Sequence, residues 1–357
     1  MPNADVDSHA ALPTIVVLAT GGTIAGSGSQ GRATNYRPGQ IGIEDLVGCV
    51  PGIDAVAHVK GMQICNVNSD DITGAHWIAL ARTIDELAAR TDIDGFVVTH
   101  GTDTMAYTSA ALSYMVQNSR KPIVITGSQK PIDTDGTDAK PNLRDSLFYA
   151  CDGDSEDVSL VFDGNVIAGT RAKKMMARSF NAFYSVNFPV LARIQDRHII
   201  RYIPPSPPRG PLSFQEELSD SVCVMKLIPG ARPEMLGYLF ENYDCIVMES
   251  FGVGGIPERM LEKFYSEMER WREKGKFIVM ATQVVNEGSN MEIYQVGQKV
   301  KQDFKLIEAY DMTLEATITK LMLLLKRYPS SYEKLRREFY REVNHDILCA
   351  FEEGSVR

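Results

Sequence analysis

The chain has 357 residues, 44% of them hydrophobic, and a formal net charge of -9. That length exceeds one ordinary core and fits two domains, with apolar material enough for both. The negative balance opposes binding to polyanions such as nucleic acid, no compact basic stripe offsets it, and no apolar run approaches the length of a membrane span.

Met1-Pro2-Asn3-Ala4-Asp5-Val6-Asp7 lacks both the basic start and the apolar stretch of a secretory signal, so a cytoplasmic location is expected. From about residue 13 to residue 165, strand-like runs alternate with amphipathic helical stretches, the pattern of βαβ units and a parallel sheet. The first run, Ile15-Val16-Val17-Leu18-Ala19, leads directly into Thr20-Gly21-Gly22-Thr23-Ile24. Trp77, Leu80, Ala81, Ile84, Leu87 and Ala88 then recur at helical spacing, with Ser69-Asp70-Asp71 as the expected N-terminal cap. The next run, Gly95-Phe96-Val97-Val98-Thr99, ends in His100-Gly101-Thr102-Asp103-Thr104-Met105, and a helix is predicted over 105–116. A third run, Pro122-Ile123-Val124-Ile125-Thr126, ends in Gly127-Ser128-Gln129 before a polar loop over 133–138. Three successive strand tips therefore carry Gly, Thr and Ser, at the end of the sheet where open α/β folds place their chemistry.

Between Pro204 and Pro211, five prolines in eight positions remove donors and fix φ, so regular structure is not expected there. Beyond this stretch the alternation resumes, with strands near 222–227, 245–249 and 277–281 and helices over 257–274 and 312–326. The expected organisation is a larger N-terminal three-layer α/β domain with a parallel sheet over 13–200, a Pro-rich linker over 201–220, and a smaller C-terminal α/β domain over 221–350. The six cysteines lie far apart without C-x-x-C, in apolar surroundings that favour buried, reduced thiols.

Several familiar chemistries are absent as motifs. Gly26-Ser27-Gly28-Ser29-Gln30-Gly31 spells a dinucleotide fingerprint, but Pro38 and Gly39 fall where the phosphate-binding helix should start. It reads instead as a flexible loop able to close over a substrate. The six histidines show no metal-ligand spacing, and His100 beside Gly101 reads as a core residue or as one that backs the site's own residues, not as a ligand. No G-x-S-x-G elbow is present. What remains is hydroxyl chemistry without histidine: Thr102-Asp103 supplies a hydroxyl and a carboxylate, and either Lys173 or Lys174 completes a Thr-Lys-Asp relay.

These residues resemble a known family, the bacterial-type asparaginases, also called asparaginase/glutaminase amidohydrolases. Ala19-Thr20-Gly21-Gly22-Thr23-Ile24-Ala25 is similar to the first family signature, and Val98-Thr99-His100-Gly101-Thr102-Asp103-Thr104-Met105-Ala106-Tyr107 to the second. The likeness continues through Lys121 to Gln129, Ser250 to Gly255 and Asp311 to Leu321, and covers about residues 13 to 345. The Asp311 stretch looks most like the cytoplasmic, type I branch. The resemblance implies L-asparagine as substrate, Thr23 as first nucleophile, Tyr36 as its activator on a lid, and Thr102, Asp103 and Lys174 as the proton-handling group, with Lys173 the fallback. It also places Ser69 at the substrate α-carboxylate, with Asp70 beside it, and gives Asp103 the α-ammonium group. No cofactor or metal is implied, and the assembly implied is a homotetramer, a dimer of dimers.

Four positions depart from the family pattern. Asp70 stands where a neutral residue would approach a carboxylate more comfortably. Gly255 replaces an asparagine that can reach a neighbouring subunit. Val284 and Lys173 occupy the places of a cysteine and a threonine that hold an activating second asparagine in some type I members, so weak or absent allosteric activation is expected. Ammonia-generating subunits of transamidation complexes share the same motifs and usually add an N-terminal domain, whereas about 13 residues precede the first strand here. An amino-acid-binding protein without turnover is the remaining alternative.

Overall fold

A strand with continuous burial must lie inside a sheet covered on both faces. Thr14–Gly21, strand β1, is such a strand: every residue from Ile15 onward is buried. A computed structural model describes residues 12–26, 41–205 and 210–348. After β1 the chain runs through α1 (Ile43–Gly48), β2 (His58–Val67), α2 (Gly74–Ala88), β3 (Gly95–Thr99), α3 (Met105–Met115), β4 (Val116–Gln117), β5 (Ile123–Thr126) and α4 (Ala139–Ala150). It continues with β6 (Val158–Phe162), β7 (Asn165–Ala168), β8 (Ala172–Lys174), β9 (Phe183–Ser185), β10 (Ala192–Gln195), β11 (His198–Arg201) and β12 (Ser213–Phe214). The order in the eight-stranded sheet is β11-β10-β7-β6-β5-β3-β1-β2, while β8 pairs with β9 and β12 with β4.

The period of two along each strand builds the layers. Val16 and Leu18, Phe96 and Val98, and Ile123 and Ile125 face one core with Trp77, Leu80 and Ile84 of α2 and Met105 and Leu112 of α3. Their alternates Ile15, Val17, Val97 and Val124 face the opposite core with Leu46 of α1 and Leu143 and Leu147 of α4. Helices thus cover both faces, as the three-layer expectation required.

Three details differ from the sequence expectation. The sheet is parallel from β2 to β6 but ends in antiparallel pairs, β6 with β7, β7 with β10 and β10 with β11. The turn Asp163-Gly164, with φ of 50° and 71°, reverses the chain without a helix. Ser69–Asp71 is a separate 3-10 turn, and α2 is capped by Thr73, whose backbone N–H donates to His76 Nδ1 at 3.0 Å. Cys49, Cys65, Cys151, Cys223 and Cys245 are free, yet only Cys245 is fully buried; Cys349 lies outside the described residues.

The second sheet, β13 (Val222–Lys226), β14 (Cys245–Ser250), β15 (Phe277–Thr282) and β16 (Ile307–Glu308), is parallel throughout. Helices α5 (Met235–Asn242), α6 (Glu258–Arg272) and α7 (Gln295–Phe304) bury Phe240, Phe264 and Phe304 on one face. On the other face Cys245, Val247, Phe277 and Val279 join the core already filled by α2 and α3. The helix α8 (Leu314–Arg327), capped by Thr313 accepting from the Ala316 N–H at 3.1 Å, and α9 (Tyr332–Phe339) complete that shared core through Leu321, Leu324, Leu335 and Phe339. No helix of the described residues is long and apolar enough to cross a membrane.

A buried ion pair fastens the two sheets beside β8. Arg171, wholly buried, donates to Asp311 Oδ2 at 2.8 Å and to the Asp311 carbonyl at 2.7 Å, and also reaches the carbonyl of His345. Removing one partner of such a pair strands a charge without water. Arg171→Met is expected to lower unfolding free energy by about 3–5 kcal/mol in denaturant titration; a loss under about 1 kcal/mol would show the pair to be dispensable.

Candidate active site

Two glycine-led strand tips meet with no side chain between them. A Cβ on Gly22, whose φ is 78°, would sit 2.4 Å from the backbone nitrogen of Gly101. A Cβ on Gly101 would in turn lie 2.8 Å from Ser69 Oγ. Only glycine fits either place. Thr23 and Thr102 each follow one of these touching glycines, so the two hydroxyl-bearing residues leave a common point of contact at the C-terminal ends of β1 and β3. Thr23 is half-buried at the start of a 3-10 turn, Thr23–Ala25, anchored by the buried side chain of Ile24. Thr102 is 7% exposed.

Ser69 joins them from the turn after β2. It is 6% exposed, its Oγ accepts from the Asp103 N–H at 3.3 Å, and its carbonyl accepts from Thr104 Oγ1 at 2.5 Å. Asp70, next in that turn, is exposed. Tyr36 lies outside the described residues, as do residues 27–31 of the Gly26–Gly31 loop.

Strand parity separates the two lysines. Neighbours on β8 point to opposite faces: Lys173 Nζ lies 3.0 Å from Glu315 Oε1, whereas Lys174 Nζ donates to Thr102 Oγ1 at 2.8 Å and Asp103 Oδ1 at 2.6 Å. Lys174 is therefore the lysine brought to Thr102 and Asp103. Its side chain is 17% exposed, while that of Asp103 is 70% exposed and open to a ligand from solvent. Lys173 and Val284 line a small cavity between the two sheets together with Glu249 and Thr313, apart from this cluster.

Two further residues shape the cluster: Gln129, to which sequence reasoning assigned no role, and His100, which it read as a core residue or a support behind the site. Gln129, at the tip of β5, accepts from Thr102 Oγ1 at 3.3 Å; its signal was its place in the same Gly-and-hydroxyl series of strand ends. His100 is fully buried below the site. Trp77 Nε1 donates to Thr108 Oγ1 at 2.8 Å, Thr108 Oγ1 lies 2.9 Å from His100 Nε2, and His100 Nδ1 lies 2.7 Å from the Gly101 carbonyl. Because the indole can only donate and the carbonyl only accept, Thr108 gives its hydrogen to Nε2 and Nδ1–H donates to Gly101. The chain holds the Gly101–Thr102 peptide in one orientation with a neutral imidazole.

Burial pushes the His100 pKa down from 6.5 to about 4, against the smaller opposing effect of the Gly101 hydrogen bond. Below pH 6.5 the unfolded chain therefore takes up a proton that the native protein refuses until about pH 4. Stability contributed by this site is present above the unfolded value and lost as pH falls through that window, on the order of 3 kcal/mol in all. Thermal unfolding followed from pH 7 to pH 4 should show this decline, and His100→Gln should flatten it; an unchanged slope in the variant would contradict the assignment.

Comparison with known proteins bears on the whole chain. A family model described as asparaginase, N-terminal, matches residues 14–206, and one described as glutaminase/asparaginase C-terminal domain matches residues 221–339. The chain is 36% identical over 336 residues to an L-asparaginase of Thermococcus kodakarensis, covering 93% of this chain and 98% of that one. The solved structure of the thermostable L-asparaginase from that organism superposes with a TM-score of 0.84 at 32% identity, over 94% of this chain and all (100%) of the other. L-asparaginase I from Vibrio cholerae superposes with a TM-score of 0.83 at 28% identity, covering 95% of this chain and 100% of its own. The chain is also 30% identical over 344 residues to a glutamyl-tRNA(Gln) amidotransferase subunit of Methanopyrus kandleri, spanning 90% of this chain and 72% of that protein.

Proposed function

This chain belongs to the asparaginase family, and from that membership and the site geometry we propose that it hydrolyses L-asparagine to L-aspartate and ammonia. The observation that carries the reading is Lys174 Nζ, 2.8 Å from Thr102 Oγ1 and 2.6 Å from Asp103 Oδ1, beside the glycine contact from which Thr23 also departs. A hydroxyl needs a partner to take its proton, and Lys174 can be that partner once it has passed a proton of its own to the Asp103 carboxylate; this trio supplies both groups.

In this reading Thr23 Oγ1 attacks the side-chain amide carbon, and its proton passes to Tyr36 and on to the leaving nitrogen. The C–N bond breaks and ammonia departs, leaving a β-aspartyl ester on Thr23. Water then attacks the ester carbon; its proton is managed by Thr102, Lys174 and Asp103, and the Thr23 hydroxyl is restored. Backbone N–H groups at the glycine-led tips stabilise the oxyanion in both stages, each worth about 3 kcal/mol. Ser69 holds the α-carboxylate and Asp103 the α-ammonium group, with Asp70 at the edge of the same subsite. Exposure of the Asp103 carboxylate beside a buried Ser69 supports that division of labour.

The same reading makes the protein a cytoplasmic homotetramer, a dimer of dimers, with L-glutamine as a slower substrate. One methylene in a pocket separates the two amides by about 1–3 kcal/mol. The likeness to an amidotransferase component favours a second reading, in which the released ammonia is passed to an acceptor by a partner-dependent complex. The higher identity to the Thermococcus kodakarensis asparaginase supports the first.

Ammonia release from L-asparagine and L-glutamine, measured in parallel, tests both. The purified protein should release ammonia from asparagine, and Thr23→Ala and Thr102→Ala should each lose at least about 10²-fold in kcat while remaining folded. A folded wild-type protein inactive on both amides would sink the free-standing hydrolase and favour the partner-dependent reading.

A further inference from the structure

We propose that Gln129 is a positioning residue for the reaction, setting where the Thr102 hydrogen rests and so how the Thr102–Lys174 pair passes protons; this rests on the amide-hydrolysis reading above. The side chain is held at both ends of its amide. Nε2 donates to the carbonyls of Ser179 at 3.1 Å and Met176 at 3.4 Å, and Oε1 accepts from Thr102 Oγ1 at 3.3 Å. The orientation follows from the partners: two carbonyl oxygens carry no hydrogen, so the NH₂ group must face them and Oε1 must face Thr102. The backbone of Gln129 is fixed as well, its N–H donating to Asp138 Oδ2 at 2.8 Å, while Lys130 N–H donates to the other carboxylate oxygen at 3.0 Å. Asp138 is itself buried.

A directed chain results. Lys174 Nζ can only donate, so one lone pair of Thr102 Oγ1 is taken at 2.8 Å and its single hydrogen is left for Gln129. For Lys174 to receive the Thr102 proton, Nζ must first pass one of its own protons to Asp103 Oδ1, 2.6 Å away, and the Thr102 hydrogen must then leave Gln129 and turn toward the freed lone pair. At 3.3 Å the Gln129 bond is long enough to be surrendered during turnover, yet directional enough to select one hydroxyl rotamer at rest. The carbonyls that hold Nε2 belong to the segment immediately after Lys174, between β8 and β9. Gln129 thus ties the Thr102 hydroxyl to the stretch of chain that leads away from the lysine. An error in the placement of such a group is costly because the reacting geometry tolerates little displacement.

The inference separates from a packing role by its pattern in kinetics. Gln129→Met keeps length and volume but neither accepts from Thr102 nor donates to the carbonyls. It should lower kcat on L-asparagine by about 10- to 100-fold, with KM within about threefold, because Gln129 contacts the catalytic pair and not the substrate in this reading. Gln129→Glu imitates the amide only when protonated: the C=O then accepts from Thr102 and the O–H donates to a carbonyl. Ionised, it sets a negative charge against two carbonyl oxygens. The ratio of its kcat to that of the wild type should therefore rise as pH is lowered, while the ratio for Gln129→Met stays flat. Retention of kcat within about twofold in Gln129→Met would overturn the proposal, and so would parallel pH ratios in the two variants. A wild type inactive on both amides would instead remove the underlying hydrolase reading, and this inference with it.

Discussion

Everything at the site depends on two backbones touching. Where the tips of β1 and β3 converge, Gly22 and Gly101 approach so closely that no Cβ could stand between them. Any side chain there would push the strand ends apart and separate the two threonines that follow. The energetic cost of glycine in the unfolded chain is therefore accepted at a place where no other residue can do the same task. The buried chain from Trp77 through Thr108 and His100 to the Gly101 carbonyl holds one side of this contact from below. The Gly22 N–H, donating to the Val67 carbonyl at 3.2 Å, holds the other side from β2.

The lysine arrives by a different route, and the second sheet helps to deliver it. Strand β8 is short and, among the described residues, pairs only with β9, so its own ladder is a weak anchor. Arg171 on one side of it is locked to Asp311, Thr170 accepts from Thr313 Oγ1 at 2.9 Å through its carbonyl, and Lys173 is paired with Glu315 at the start of α8. Three successive attachments to residues 311–315 leave Lys174 as the side chain turned toward Thr102. The C-terminal part of the chain thus contributes to the site by fastening β8, and the core it shares with α2 and α3 makes that contribution rigid.

Much of this architecture was legible in the sequence. The runs beginning at Ile15, Phe96 and Ile123 are apolar on both alternating sets, which is what a strand covered on both faces requires. Their tips announced the site because glycine and hydroxyl residues recur there three times. The antiparallel edge was not legible, since His198–Arg201 and its partner are short, half-exposed and no more apolar than a loop. Nor could composition choose between Lys173 and Lys174. That choice depends on strand parity, and parity has meaning only once β8 is known to be a strand. Gln129 escaped notice for a related reason: its amide gains a role only from the carbonyls of Met176 and Ser179, which lie 47 and 50 residues away in sequence.

The central claim is that Thr102 and Lys174 act as one unit created by the meeting of β3 and β8. A double-mutant cycle in kcat, using Thr102→Val, Lys174→Met and the pair, measures that directly. Residues that work as a unit give grossly non-additive losses. The double variant should be about as impaired as the worse single variant. Losses that simply multiply would mean that the hydroxyl and the ammonium serve catalysis independently, and the account given for the strand tips would fail.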